Sequence, residues 1–76
     1  MKLCTAINEI MGEGFADKVN PYYAASLAIT RIRLDAIKSD TAHELIAYLV
    51  AKGYPNDLES MEQELMADGA INGILN

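Results

Sequence analysis

The chain has no tryptophan, one phenylalanine, one cysteine and two prolines in 76 residues. A lone cysteine, Cys4, cannot close an intrachain disulfide, which argues against a stapled secreted mini-protein and sets the expectation of a reducing cytoplasm. Cys4 lies among apolar neighbours and is expected in the core. No run approaches the ~20 apolar residues that a membrane span needs, and the N-terminus lacks the apolar stretch of a signal peptide. One histidine and one cysteine are too few for an N/S zinc site. The most telling absence is positive charge. Residues 53–76 hold no Lys or Arg, while Asp57, Glu59, Glu62, Glu64 and Asp68 all fall there. All six basic residues lie in 1–52, balanced by six acids, so the net charge of −5 belongs to the C-terminal third.

What is present is apolar and helical. Hydrophobic residues make up 51% of the chain, including four Met and four Tyr. Alanines account for part of that share, but the Ile and Leu content is still high for so short a chain. A body of this size buries only ~60% of its unfolded surface, so an apolar surplus predicts a surface that meets another molecule or a second copy.

The longest helical signal is Asn20 to Lys38. Asn is a strong N-cap, and Pro21 at the first helical position loses no hydrogen bond. Two apolar rows follow, Tyr22/Ala25/Ile29/Ile32/Ala36 and Tyr23/Leu27/Thr30/Leu34/Ile37. The polar strip between them is narrow: Arg31, Asp35 and Lys38, continued by Ala24 and Ala28. A helix this apolar around its circumference is buried on more than one side, so 21–38 is expected to be the hub. Arg33 falls between the rows, where it either pairs with a carboxylate or reaches out along its aliphatic stem.

Around it, residues 2–11 place Leu3, Ala6, Ile7, Ile10 and Met11 on one helical face. Gly12 and Gly14 end that helix. Ser39-Asp40-Thr41 opens the next, over 41–52, with Thr41 and Glu44 at capping-box spacing or Asp40 as the cap. Its apolar face is Ala42, Leu45, Ile46, Leu49 and Val50. Gly53, Tyr54 and Pro55 stop it. Asn56 with Glu59 opens a helix over 57–67, and Asp68-Gly69 is expected to end it. Short turns at 15–19 and 70–75 complete one all-α domain, 1–76, a bundle of four main helices.

Sharper chemistry fails on residue types. Gly12-Glu13-Gly14 lacks the Lys-Ser/Thr of a phosphate loop. Cys4 and His43 are the sole thiol–imidazole option for covalent catalysis, with no glycine-rich segment for an oxyanion hole. The acids of 57–68 lack the alternating spacing of a calcium loop. Segments 41–52 and 57–67 have a helix-turn-helix outline, but the second carries four acids, with Asp68 just beyond it, and no base, which DNA phosphates repel. The expectation is therefore a non-enzyme with no cofactor and no metal, touching neither nucleic acid nor membrane.

The remaining signal is the acidic segment itself. Asp57, Glu59, Met61, Glu62, Glu64 and Asp68 form the candidate partner-binding surface: carboxylates to steer a basic partner and an adaptable Met. The expected function is a small regulator or inhibitor acting by protein–protein contact. One concrete form is a phage or mobile-element antagonist that blocks a nucleic-acid-handling host complex, as anti-CRISPR proteins do. The alternatives are a self-assembling homodimer and a helix-turn-helix regulator.

Overall fold

The computed structural model describes residues 3–75, with side-chain surroundings through residue 71. Five helices follow in order: α1 Leu3–Met11, α2 Phe15–Lys18, α3 Pro21–Asp35, α4 Asp40–Ala51 and α5 Leu58–Leu75. No strand occurs among the described residues. The all-α bundle expected from the pattern is what the chain forms. A start at residue 2 lies outside the described residues.

The helices pair across the sequence. α3 packs chiefly on α5, and α1 packs on both α3 and α4. Among the described residues α4 and α5, though sequence neighbours, pack mainly on other helices, α4 on α1 and α5 on α3. The hub role expected of α3 is thus shared with α1, which also carries α2. Ile7, Ile29, Leu45, Met61 and Leu65 are fully buried where the two pairs meet.

Caps set where each element begins. The Asn20 side chain accepts from the Tyr22 N–H at 2.8 Å, with Pro21 at the first position, as the sequence indicates. At α4 the cap is Ser39, which accepts from the Ala42 N–H at 3.2 Å. Thr41, expected as a cap, instead donates its hydroxyl to Glu9 of α1 and ties the two helices. At α5 the cap is Asp57 rather than Asn56. Its carboxylate accepts from both the backbone N–H and the hydroxyl of Ser60, at 3.0 and 2.8 Å. An anion there also suits the positive end of the helix dipole. The short α2 borrows a cap: Asn8 Oδ1 of α1 accepts from the Ala16 N–H at 2.8 Å.

α3 stops three residues earlier than expected. Ala36 takes a left-handed conformation, φ 51° and ψ 43°. The Ile37 N–H returns to the Ile32 carbonyl at 3.0 Å, and Ile37 packs on the core. This is the Schellman arrangement, with a contact between the residues flanking the turn. A non-glycine residue in that region costs about 1–2 kcal/mol, which the burial of Ile37 offsets. α4 ends the same way, with Gly53 at φ 105° and Tyr54 N–H on the Leu49 carbonyl at 3.1 Å.

Three expectations about faces are corrected. Ala24 and Ala28 do not continue a polar strip; both are buried, because small residues let neighbouring helices come close. Three members of the second apolar row face outward instead, Tyr23, Leu27 and Leu34, exposed at 36%, 43% and 68%. Cys4 is exposed. On a helix it lies roughly 100° from Leu3 and away from the Ala6–Ile7–Ile10 face that is buried.

The largest correction concerns Gly69. It does not end a helix; α5 runs through it to Leu75. Gly69 is buried, and a Cβ there would stand 3.2 Å from Tyr22 Cβ and from Cγ and Cδ1 of Tyr23. The glycine serves close approach of α5 to α3, not a turn.

Candidate functional site

The six acidic-segment candidates separate once α5 is placed. Met61 is fully buried and belongs to the core. Glu62 turns toward α3: its Oε1 accepts from the Thr30 hydroxyl at 2.8 Å and from Arg33 Nη2 at 3.4 Å, and its Oε2 accepts from Arg33 Nε. Arg33 is therefore the paired arginine, not a snorkelling one. Glu59 is exposed with an oxygen 4.0 Å from Arg33 Nη1, and Asp57 is the helix cap. Glu64 is exposed, and it carries no hydrogen bond or ion pair among the described residues. Asp68 is half-buried and accepts from the Tyr54 hydroxyl at 2.5 Å.

The Arg33–Glu62 pair is structural, and its signature is pH dependence. The hydrogen bond from Arg33 holds the Glu62 carboxyl below its ordinary value, with Thr30 adding to the effect and burial opposing it. Asp57 is lowered too, by its bonds from the Ser60 hydroxyl and N–H. A carboxyl lowered in the folded state stabilises above its unfolded value, and that stability is lost as pH falls through the folded value. Stability is therefore expected to fall on acidification from about 4.5, the ordinary glutamate value, downward. Thermal melts of Glu62→Gln across that range should show a flatter acid limb than wild type, with the Asp57 contribution left. Parallel profiles would mean the pair contributes nothing to acid sensitivity.

Glu64 and Asp68 meet a feature that α4 and α5 create by packing mainly on other helices. Between them opens a cleft of about 590 Å³, walled by residues of α1, α3, α4, α5 and the 52–54 turn. Its size is within the ~300–1,000 Å³ range of ligand sites. Tyr22, Tyr48 and Tyr54 line it, with Leu49 and Leu65 at its apolar floor and Lys52, Glu64 and Asp68 as its ionic groups. Tyr22 and Tyr48 are 37% and 38% exposed. Lys52 places its ammonium 5.4 Å from the Tyr48 ring centroid, within cation–π reach.

Burial first, and then the bond to Asp68, raise the Tyr54 hydroxyl well above the usual phenol range, so it remains a neutral donor. Glu64 and Asp68 stand four apart on α5, a like-charge spacing that costs a helix about 0.2–0.5 kcal/mol. The α4 C-terminus, the α3 N-terminus and Leu3, the first described residue of α1, all border the cleft.

Sequence reasoning found Glu64 and Asp68 but not the tyrosines around them. Four tyrosines in a chain without tryptophan were the available signal. Which of them share a wall depends on contacts that local pattern does not encode. Among the described residues no group of three His, Cys, Asp or Glu is placed to hold a metal ion, and no helix is long and apolar enough to cross a membrane. In comparisons with protein families, curated proteins and solved structures, the chain matches no family model, no curated protein and no solved structure.

Proposed function

We propose that the chain is a non-enzymatic, cytoplasmic protein-interaction module that regulates or inhibits a partner by covering a basic surface. Charge segregation carries this reading: the C-terminal third has five acids and no Lys or Arg. Folding leaves Glu59 and Glu64 exposed, with one distant guanidinium contact at Glu59 and none at Glu64 among the described residues. Exposed carboxylates of one sign steer association toward a positive surface. Proteins that handle nucleic acid present such surfaces, because phosphate affinity comes from Lys and Arg. Covering one would block its nucleic acid, the mode of action of a phage or mobile-element antagonist of the anti-CRISPR kind.

The test is capture from lysate of the source organism and its host, followed by competition. Wild type should hold a basic nucleic-acid-binding protein and displace its nucleic acid. A Glu59→Gln, Glu64→Gln double variant should do neither. This pair avoids Asp57 and Glu62, whose loss would disturb the helix cap and the Arg33 contact. Equal capture by both proteins, or a captured protein whose nucleic-acid binding is unaffected, would sink the reading.

A homodimer is the second reading, favoured by the exposed row Tyr23, Leu27 and Leu34 with Met66, 51% exposed, on α5. A monomer mass at every concentration in sedimentation would remove it. The helix-turn-helix reading has no comparable support, since α5 offers phosphate no positive side chain.

A further inference from the structure

We propose that the outer face of α3 pairs antiparallel with the same face of a second copy of this chain. This rests on the homodimer reading and adds to it the face used and its register. The seam is Tyr23, Leu27, Thr30 and Leu34, spaced four, three and four residues apart. That alternation is the spacing of a coiled-coil seam, which keeps its side chains on one line along a helix. α3 thus has two packing faces. Ala24, Ala25, Ala28, Ile29 and Ile32 serve the core, and the seam points away from it. The row would continue at Ile37, but α3 ends at Asp35 and Ile37 turns back onto the core. Met66 widens the seam. Thr30 meets Glu62 and Tyr23 lies against Gly69, which sets Met66 beside Leu27.

The seam is complementary to itself. Read backwards, a four-three-four spacing is unchanged. A two-fold axis perpendicular to α3, midway along the seam, therefore sets Tyr23 on the partner's Leu34 and Leu27 on the partner's Thr30, each contact made twice. The parallel alternative stacks every residue on its own copy and brings like ends of the two helix dipoles together, whereas antiparallel helices set opposite ends side by side. No charge has to be buried. The Thr30 hydroxyl is already bonded to Glu62, and Arg31, beside the seam, is paired with Asp35 at 3.4 Å. An unrelated partner would need a matching row of its own; a second copy brings it. One seam a side is small against the ~1,600 Å² of a standard interface, so the dimer is expected to be weak.

The first experiment is sedimentation of the full chain from about 10 µM to 1 mM, the range in which a weak contact fills. The mass should rise from monomer towards dimer. Leu27→Lys should abolish the rise, because it sets two ammonium groups close to the axis. Val50→Lys, on α4 and comparably exposed, should dimerise like wild type, and unchanged circular dichroism would show that both variants fold. Disulfide trapping then reads the register, in a Cys4→Ser background with diamide as oxidant. An equal mixture of Tyr23→Cys and Leu34→Cys proteins should trap the mixed dimer well above the half that random pairing gives. A monomer at every concentration overturns this inference and the homodimer reading together. A dimer that survives Leu27→Lys, is lost in Val50→Lys, or traps 23 with 23 and 34 with 34 overturns the inference and leaves the homodimer reading standing.

Discussion

Met61→Ala is expected to lower the unfolding free energy by about 2–5 kcal/mol, the cost of emptying a buried site in a packed core. Met66→Ala, five residues on, should change it by no more than about 0.5 kcal/mol. The two side chains are chemically identical and sit on one helix, so composition cannot separate them. Helical phase can: five residues turn the helix by roughly 140°. Met61 is fully buried, and Met66 is 51% exposed. A chain of 76 residues has about 4–11 kcal/mol to lose. Met61→Ala therefore removes a large share of it, and urea unfolding of the two variants beside wild type reads the difference directly. Similar midpoints for both variants would mean that α5 is rotated from the position described. The contrast also bears on function, because a methionine inside the core cannot belong to a binding surface.

The elements whose boundaries were legible are those fixed by local chemistry. Asn20-Pro21 starts α3 and Gly53-Tyr54-Pro55 stops α4, because caps and left-handed turns depend on a few adjacent residues. Where several adjacent residues could cap, the pattern was degenerate, and Ser39 and Asp57 took the roles that Thr41 and Asn56 also suited. Ala24 and Ala28 were misplaced for a different reason. Alanine carries little hydrophobic signal, so its burial depends on how closely a neighbouring helix approaches. The acidity of α5 was plain in the sequence, but its division of labour was not. Glu62 is committed to Arg33, a residue 29 positions away, and that pairing sets which carboxylates remain for a partner. The cleft was the least legible feature. It exists because α4 and α5 pack on different helices, and no local periodicity reports a space between elements.

Gly69→Leu should be the most disruptive single change outside the large core side chains, costing about 3 kcal/mol or more through overpacking. Gly69→Ala should fall within about 1 kcal/mol of wild type, because two effects oppose. Alanine gains about 1 kcal/mol of helix propensity over glycine. Against that, the new Cβ meets Tyr22 Cβ and the Tyr23 ring at 3.2 Å. The Tyr23 ring is partly exposed and can shift, whereas Tyr22 Cβ is fixed to the α3 backbone. The size dependence distinguishes this role from that of a helix stop. A glycine in a left-handed turn would penalise Ala and Leu alike, by about 1–2 kcal/mol, since the strain lies in the backbone and not in the side chain. Thermal unfolding of the two variants separates the cases: a steep drop from Ala to Leu means close approach, and equal losses mean a turn.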